Sequence, residues 1–284
     1  MFSILLAALF GLVIGSFLNV VILRLPVMMH RNWAQQCNEL QKMHQEHPIA
    51  GLHNVGSYNL IAPRSHCPHC QHQIRAWENI PILSYVFLRG RCSQCKQAIS
   101  IRYPLIELLT ALLTGVVIWH FGLQWTSLFA IILTYSLIAL AIIDFDHQLL
   151  PDSITFPMLW LGLLLSVFTI FSSPTQAIYG AVLGYLILWS VYWIFKLITK
   201  KDGMGEGDFK LLAMLGAWMG WEALPAIIFI SACSGAIVGI LLMVFKHHPR
   251  HKPIPFGPFL ALAGWITLLW GDKLTQGYFR VIGI

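Results

Sequence analysis

Asp144 and Asp208 are the residues of this sequence best placed to do chemistry, because each lies where a long apolar run meets a short polar stretch. Asp144 follows Ala-Ile-Ile, and Asp208 ends the phrase Gly205-Glu-Gly-Asp. In so hydrophobic a chain, an ionisable group at membrane depth is costly and points to a functional site. Two such carboxylates suit paired acid and base chemistry that activates water against a peptide bond. These residues predict a membrane aspartyl protease.

Two other acids, Asp146 and Asp152, compete for the same chemistry. In a continuing helix, Asp146 lies two residues after Asp144 and points to nearly the opposite face, so those two should not form the pair. Asp152 opens an apolar segment after a proline, where a helix N-cap is expected, and capping is its favoured role.

Asp208 has two competing interpretations, a helix cap and a catalytic group. Gly205 and Gly207 precede it, and glycine lets the backbone approach a bound chain closely and adopt φ angles that other residues avoid. Irregular backbone at membrane depth is tolerated only where it is buried in protein or lines a watery cavity. The glycines therefore favour a catalytic site, with a helix expected to start after Asp208 and to favour its charged form.

The composition excludes an ordinary soluble protein and predicts an all-α polytopic membrane protein. The chain has 284 residues, of which 57% are hydrophobic and 11% charged, and its mean hydropathy is +0.69. We expect about eight transmembrane helices. The segments at 156–171, 209–221 and 256–271 are shorter than the roughly 20 residues that cross the hydrocarbon, so tilt, local thinning or a partly inserted helix is expected there. The candidate spans are 2–23, 105–121, 126–143, 156–171, 177–195, 209–221, 225–245 and 256–271.

The basic residues predict the orientation of these spans. Sixteen of the 18 Lys and Arg fall in the loop 24–103, near 196–210 and near 246–252, which lie on one side of the membrane. The positive-inside bias places this side, with both key aspartates, in the cytoplasm and both termini outside. The net charge of +6 then reflects topology and contact with anionic lipid, and a nucleic-acid partner is not expected.

The same pattern predicts a three-part chain. Residues 1–23 form a retained first anchor, because no basic residue precedes the apolar run and Arg24 follows it. Residues 24–103 form a small cytoplasmic domain, and residues 104–284 form the transmembrane peptidase bundle. Four Gly-x-x-x-Gly pairs predict close helix packing, beginning at Gly11, Gly180, Gly216 and Gly235.

Four of the six cysteines form a Cys-x2-Cys, x21, Cys-x2-Cys array: Cys67, Cys70, Cys92 and Cys95. This spacing is close to that of knuckles that fold around one tetrahedral Zn²⁺, and the predicted compartment is reducing. Structural zinc is the favoured interpretation, and redox-active pairs or an iron site are the alternatives. Four protein ligands close the metal shell, so we expect a folding role.

Several residues near the array or apart from it receive weaker interpretations. His66, His69 and His72 flank the first knuckle as possible substitute ligands, although surface positions are favoured. Cys37 has no partner spacing. Cys233 lies in the middle of an apolar segment and is expected to be a small core residue.

Ordered motifs along nearly the whole chain give it a resemblance to bacterial type IV prepilin peptidases, the leader peptidases and N-methyltransferases of pilus and type II secretion systems. The motifs are Gly15-Ser-Phe-Leu-Asn-Val-Val-Ile-Leu-Arg-Leu-Pro26, Ser65-His-Cys-Pro-His-Cys70, Glu78-Asn-Ile-Pro-Ile-Leu-Ser-Tyr85, Arg89-Gly-Arg-Cys-Ser-Gln-Cys95, Ile101-Arg-Tyr-Pro-Leu-Ile-Glu107, Asp144-x6-Pro-Asp152 and Gly203-Met-Gly-Glu-Gly-Asp208.

The resemblance implies that Asp144 and Asp208 are the catalytic aspartates. It implies cleavage at the cytoplasmic face of the bacterial inner membrane, after the glycine that ends the basic leader of a prepilin or pseudopilin. It also implies methylation of the new N-terminal residue, usually Phe, by S-adenosylmethionine. The sequence shows no Gly-rich nucleotide fingerprint for that donor, so its site is unplaced. The cysteine domain is the part that the family associates with methylation. Glu107 is a weak candidate contributor, and an interfacial polar residue is the alternative.

Two other classes of function are compatible with parts of the pattern. A proton-coupled transporter also places carboxylates in a helical bundle, but it would carry acids deep in several spans or matching broken helices. A non-enzymatic assembly scaffold would use the zinc knuckle to recruit pilus or secretion components. The scaffold leaves Asp144 and Asp208 without a role.

Overall fold

The computed structural model describes residues 1–44, 58–201, 203–246 and 254–282. These residues form α-helices, two short 3₁₀ helices at Ala76–Asn79 and Trp221–Ala223, and two isolated β-bridges, with no β-strand among them. The α-helices are α1 (Phe2–His44), α2 (Leu83–Phe87), α3 (Arg102–Phe121), α4 (Trp125–His147), α5 (Asp152–Val167), α6 (Pro174–Thr199), α7 (Glu206–Met219), α8 (Leu224–Lys246) and α9 (Gly257–Ile282).

Each of the eight predicted segments corresponds to a helix, so the prediction of an all-α membrane protein is confirmed. Of the described helices, five are long and apolar enough to cross a membrane, namely α1, α3, α4, α6 and α8 together with its preceding 3₁₀ turn. The predicted count of eight spans is not confirmed. Of the eight helices that correspond to predicted segments, the other three are α5, α7 and α9. Their apolar stretches are the ones that the sequence already marks as short, and α9 departs from helical geometry at Trp270.

The first helix is longer than predicted. The sequence suggests a polar loop from residue 24, but α1 continues to His44 and contains Pro26. Its second half holds no glycine and contains three Gln, three Met, two Leu and two Arg, which are good helix formers, so the loss of apolar character does not end the helix. A change in polarity marks the edge of a membrane span, but it does not mark a helix end.

The chain divides into two compact units, Met1–Trp119 and His120–Ile284. In the first unit, α1 packs closely on α3, as the Gly11 and Gly15 pair predicts. A Cβ at Gly15 would lie 2.7 Å from the Cα of Glu107, so only glycine fits this crossing. The Asn19 side chain donates a hydrogen bond to the Tyr103 carbonyl oxygen at 3.2 Å and ties the same two helices together.

In the second unit, α7 is the central helix and contacts α5, α6, α8 and α9. Ten of its 14 residues are buried, running from Asp208 and Phe209 to Leu211–Trp218. A helix buried on all sides needs no lipid-facing length, which explains how a helix of only 14 residues is accommodated. This packing holds Asp208 on the most enclosed helix of the unit.

Glycines permit the close crossing of α6 and α7. The backbones of Gly180 and Gly216 meet directly, and a Cβ at Gly184 would lie 2.7 Å from the Leu212 carbonyl oxygen. The remaining glycines behave differently from the prediction. Gly220 ends α7 with a φ of +81°, and Gly235 and its partner in α8 have only ordinary contacts with their neighbours. Two of the four pairs therefore bring helices together along their full spacing.

Trp218→Phe is expected to destabilise the second unit by about 1 to 3 kcal/mol. Trp218 is 1% exposed, its indole lies against Gly162, and its Nε1–H donates to the Met158 carbonyl oxygen at 2.7 Å. The substitution removes this hydrogen bond and leaves unfilled volume between α5 and α7. Thermal unfolding in detergent measures the change, and Trp189→Phe, at a position 41% exposed on α6, is the matched control. Equal midpoints for the two variants would contradict the packing role.

Candidate active site

Asp144 lies in the last turn of α4 and is 6% exposed. Its Oδ2 accepts a hydrogen bond from the Gly257 backbone N–H at 2.9 Å. Gly257 is the first residue of α9, so this N–H is one of the donors that a helix start leaves unpaired. Asp146 is exposed, which confirms that it and Asp144 point to different faces. The α9 start thus fixes one oxygen of the Asp144 carboxyl group.

Asp208 lies in the first turn of α7 and is 7% exposed. Its Oδ1 is buried and has no hydrogen-bond partner among the described residues. Buried polar atoms are nearly always paired, and an exception in a folded protein calls for an explanation. Binding of a water molecule or a substrate carbonyl group by this oxygen would be such an explanation. The unpaired oxygen therefore favours a catalytic role for Asp208 over a capping role.

The Asp144 and Asp208 carboxyl groups are close enough to repel each other electrostatically when both are ionised. The sequence separates them by 64 positions, and the fold brings them together by placing the end of α4 near the start of α7. Two neighbouring buried carboxyl groups hold one proton between them more readily than they hold two charges. This arrangement supplies one basic and one acidic oxygen at one place.

The two glycines before Asp208 have different roles from those predicted. Gly207 is needed for space, because a Cβ there would lie 2.8 Å from the Leu150 Cβ. Gly205 has a φ of −79°, which is accessible to any residue, and nothing lies within 4 Å of a Cβ built on it. The expected unusual φ angle is therefore wrong. The helix also starts earlier than expected, at Glu206, so Asp208 lies inside its first turn.

Asp152 does not cap a helix, which corrects the sequence interpretation. It is the first residue of α5, the N-cap position belongs to Pro151, and the cap has no side-chain hydrogen bond. Both Asp152 carboxylate oxygens instead accept hydrogen bonds from Lys210 Nζ at 2.9 Å. Lys210 lies two residues after Asp208, so this half-exposed ion pair links the start of α5 to the start of α7.

The four predicted metal ligands come together in the first unit. The Cys67 and Cys95 sulfurs are 3.8 Å apart, those of Cys70 and Cys92 are 3.9 Å apart, and all four lie within 4.8 Å of one another. A tetrahedron with Zn–S bonds of about 2.3 Å has edges of about 3.8 Å. The donor set therefore fits one zinc ion, and the metal's identity stays a prediction.

Two matching turns build this cluster. Each Cys-x-x-Cys turn ends in a residue in the left-handed region, Gln71 (φ 59°) after the first and Lys96 (φ 60°) after the second. Each turn is closed by one β-bridge, His66 with Gln73 and Arg91 with Ala98. The repeated backbone geometry aims both sulfur pairs at one point.

Backbone hydrogen bonds set the ionisation of the cluster. The N–H groups of Cys70 and His69 lower the pKa of Cys67 to about 7. The Gln97 N–H favours the Cys95 thiolate, but desolvation and the neighbouring sulfurs outweigh it and raise its pKa to about 11. Four thiolates therefore do not form together unless a cation compensates their charge, which a bound metal ion does.

The flanking residues depart from the sequence expectations in part. His72 is not a surface residue: its side chain is 13% exposed and its Nε2 lies 3.2 Å from Glu78 Oε2. Burial opposes ionisation of Glu78, but hydrogen bonds from the Arg75 N–H, Ser93 and His72 together lower its pKa. Cys233 is exposed on α8, so its expected core position is wrong. The histidines at 247, 248 and 251, to which the sequence assigns no role, lie outside the described residues.

Sequence reasoning missed Gly257, whose N–H holds Asp144. The signal available was a Gly-Pro pair at 257–258 before an apolar run, which is typical of a helix start. Nothing in the sequence links this helix start to an aspartate 113 positions earlier. A second missed feature concerns Glu107, which is 8% exposed and accepts a hydrogen bond from the Ile82 N–H at 2.8 Å. It is a buried residue rather than an interfacial one.

Comparisons with known proteins match both units. Residues 9–121, which hold the cysteine cluster, match the model of the bacterial peptidase A24 N-terminal domain. Residues 131–240, which hold both aspartates, match the model of the type IV leader peptidase family. No solved structure matches the chain.

Curated relatives match over nearly the full length. Three of them carry the name "Prepilin leader peptidase/N-methyltransferase". The chain is 54% identical to that of Stutzerimonas stutzeri, over 98% of this chain and 94% of that protein. It is 53% identical to that of Pseudomonas aeruginosa, over 99% and 94%, and 45% identical to that of Legionella pneumophila, over 98% and 94%. With two aspartates held at neighbouring helix starts and a match of this length, the chain belongs to the type IV leader peptidase family.

Proposed function

We propose that this protein cleaves the leader peptide of type IV prepilins or pseudopilins and then methylates the new N-terminal residue. The observation that carries the proposal is the buried pair of Asp144 and Asp208, with one oxygen fixed by a helix start and another left open. Family membership and the name shared by relatives that match over nearly their full length support the same pair of activities.

Cleavage requires one ionised and one protonated carboxyl group. The ionised aspartate takes a proton from water, and the resulting hydroxide attacks the carbon of the scissile carbonyl group. The protonated aspartate donates a hydrogen bond to the carbonyl oxygen and then gives its proton to the departing amine. No bond between enzyme and substrate forms, and the pair ends with one proton, as it began.

The membrane spans position the substrate. The hydrophobic N-terminal helix of a prepilin lies in the membrane beside the enzyme, with its leader junction at the level of the aspartates. The concentration of Lys and Arg in 24–103, 196–210 and 246–252 supports a cytoplasmic location for this face. The basic leader then stays in the cytoplasm, and cleavage follows the glycine that ends it.

Methyl transfer is assigned to the first unit. S-adenosylmethionine supplies an electrophilic methyl group on a positively charged sulfur. Cys67, Cys70, Cys92 and Cys95 hold a structural Zn²⁺ that fixes the two turns of the cluster, and four sulfur ligands leave no open position for catalysis. The zinc therefore acts on methylation through the fold of residues 58–103.

Cys67→Ser is expected to remove the bound zinc and to lower methylation more than cleavage, because the cluster lies in the unit without the aspartates. Loss of one of four ligands leaves an incomplete metal shell. Even substitution of a residue that only hydrogen-bonds to a metal ligand lowers metal affinity by about 10- to 100-fold, so loss of a ligand itself should cost at least as much. Metal analysis of the purified protein and product mass measure the two effects.

Cys37→Ser is the matched control, because Cys37 is exposed on α1 and outside the cluster. It should keep the zinc and both activities. Equal loss of cleavage and methylation in Cys67→Ser would mean that the metal supports the whole fold instead.

The proposed function is tested with a synthetic prepilin in detergent, with product mass read in the presence and absence of S-adenosylmethionine. We expect a cleaved product whose mass rises by one methyl group only when the donor is present. A product that is never methylated would mean that the protein has only the peptidase activity. Failure to cleave any prepilin would overturn the proposal and return the transporter and the scaffold to consideration.

A further inference from the structure

The first unit contains a cavity of about 500 Å³ that the cleavage reaction does not use. Its walls come from α1, from the start of α3, from α2 and from the two turns of the cysteine cluster. Ligand sites for molecules of drug size are typically about 300 to 1,000 Å³. The cavity is therefore large enough for a ligand that consists of a nucleoside joined to an amino acid.

The cavity wall combines aromatic rings with acids. Tyr58, Tyr85 and Tyr103 line the cavity, and Glu78 and Glu107 offer carboxyl groups. The Tyr58 ring is already stacked against the Arg31 guanidinium group, so Tyr85 and Tyr103 supply the aromatic surface for a planar base. Glu78 is already engaged by His72 and by the Arg75 N–H. Glu107 is thus the acid best placed to receive a positively charged ligand.

Glu107 is held in one position. It is 8% exposed, its Oε2 accepts the Ile82 N–H at 2.8 Å, and the Ser16 hydroxyl group also donates to its carboxyl group. A buried acid fixed by two donors from separate segments has the rigidity that a binding site requires.

The Ile82 backbone is strained where it meets Glu107. Ile82 has φ 57° and ψ −49°, and the Leu83 N–H donates to the Pro81 carbonyl oxygen at 2.5 Å across it. This is the rare form of the γ-turn, and a positive φ is a genuine outlier for a β-branched residue. Such strain persists only where the surroundings enforce it, and it concentrates at ligand sites.

We propose that this cavity is the binding site for S-adenosylmethionine and that Glu107 attracts the positive charge of the donor. The inference rests on the proposed function, which requires a methyl donor but assigns it no place. In the transfer, the amine nitrogen of the cleaved substrate bonds to the methyl carbon while the carbon–sulfur bond breaks. The electron pair of that bond stays on sulfur, and the nitrogen releases one proton to solvent. Glu107 is a binding residue in this scheme and takes no proton.

The test is equilibrium dialysis of radiolabelled S-adenosylmethionine against the full-length protein in detergent, without prepilin. Glu107→Gln should weaken binding by about 10-fold or more, because it removes the charge while keeping the shape. Ala98→Phe should weaken it as well, because Ala98 lines the cavity and a phenyl ring directed inward from it takes up part of the cavity volume. Glu222→Gln, an exposed acid of the second unit, should bind the donor as the wild type does.

Cleavage of a prepilin by each variant separates the possible failures. Retained cleavage with weakened donor binding in Glu107→Gln and Ala98→Phe supports the proposal. Unchanged binding in both variants overturns it while leaving the proposed function intact. If Glu107→Gln also loses cleavage and thermal stability, its weak donor binding reflects misfolding. Donor binding by Ala98→Phe then decides whether the proposal stands. A wild-type protein that neither binds the donor nor methylates would instead overturn the methylating half of the proposed function, and the cavity assignment with it.

Discussion

Asp144→Asn and Asp208→Asn are each expected to lower kcat/KM for leader cleavage by about 1,000-fold or more. Asparagine keeps the size of the side chain and its carbonyl oxygen, but it neither takes a proton from water nor gives one to the amine. Because the two groups act as a unit, the double variant should be no worse than either single one. Single-turnover cleavage of a synthetic prepilin measures the rates.

Asp146→Asn is the matched control for this pair. The same Asp-to-Asn replacement is made two residues from Asp144, but Asp146 is exposed at the end of α4 while Asp144 is buried. It should retain cleavage within about two-fold, in line with most exposed substitutions. Both catalytic variants should still methylate a peptide that has already been cleaved, because donor binding is assigned to the other unit. Cleavage that survives in either catalytic variant would place the active site elsewhere.

The sequence predicts the helices well because helix formation depends on local patterns. All eight apolar runs become helices, and the three runs that are too short to span become α5, α7 and α9, none of which is a candidate span. The clearest misses also have local causes. α1 continues past residue 24 because good helix formers follow the apolar run, and Asp152 becomes the first helical residue because proline already occupies the cap.

The sequence names the residues of the proposed site, but it does not show how they come together. An apolar run that ends in Asp marks Asp144 and Asp208 as costly and therefore as candidates. Their proximity depends on α7 lying at the centre of the second unit, and that follows from the long-range packing of α5, α6 and α9 against α7. The Gly257 contact and the Ile82 turn at Glu107 depend on the same kind of packing, so no sequence pattern reports them.

Both aspartates share one electrostatic setting that the sequence shows only in part. Asp208 lies in the first turn of α7, and Asp144 accepts a hydrogen bond from the first residue of α9. The N-terminus of a helix carries partial positive charge and unpaired N–H groups, so a helix start lies next to each carboxyl group. For Asp144 the partial negative charge at the C-terminus of α4, in whose last turn it lies, opposes this support. Mutual repulsion and burial oppose a second charge. The balance suits a pair in which one group is charged at a time.

Gly257→Ala tests whether the start of α9 positions the catalytic oxygen, and it is expected to lower kcat for cleavage by about 100-fold. A Cβ at this position would lie 2.6 Å from Asp144 Oδ2 and 3.0 Å from its Cγ, so the carboxyl group must turn away. Displacement of a reacting group by about 1 Å costs roughly this factor. Helix propensity does not explain such a loss, because alanine is the better helix former.

Gly239→Ala is the control for this substitution, because the same methyl group there meets only the Ile254 side chain at an ordinary 3.6 Å. Its activity should stay at the wild-type level. In Gly257→Ala the loss should fall on kcat with little change in KM, since the prepilin helix does not depend on this contact, and a pre-cleaved peptide should still be methylated. A structural role alone would lower the thermal midpoint and both activities together. Full cleavage by Gly257→Ala would mean that the Asp144 carboxyl group works in another orientation, with its water held by Asp208.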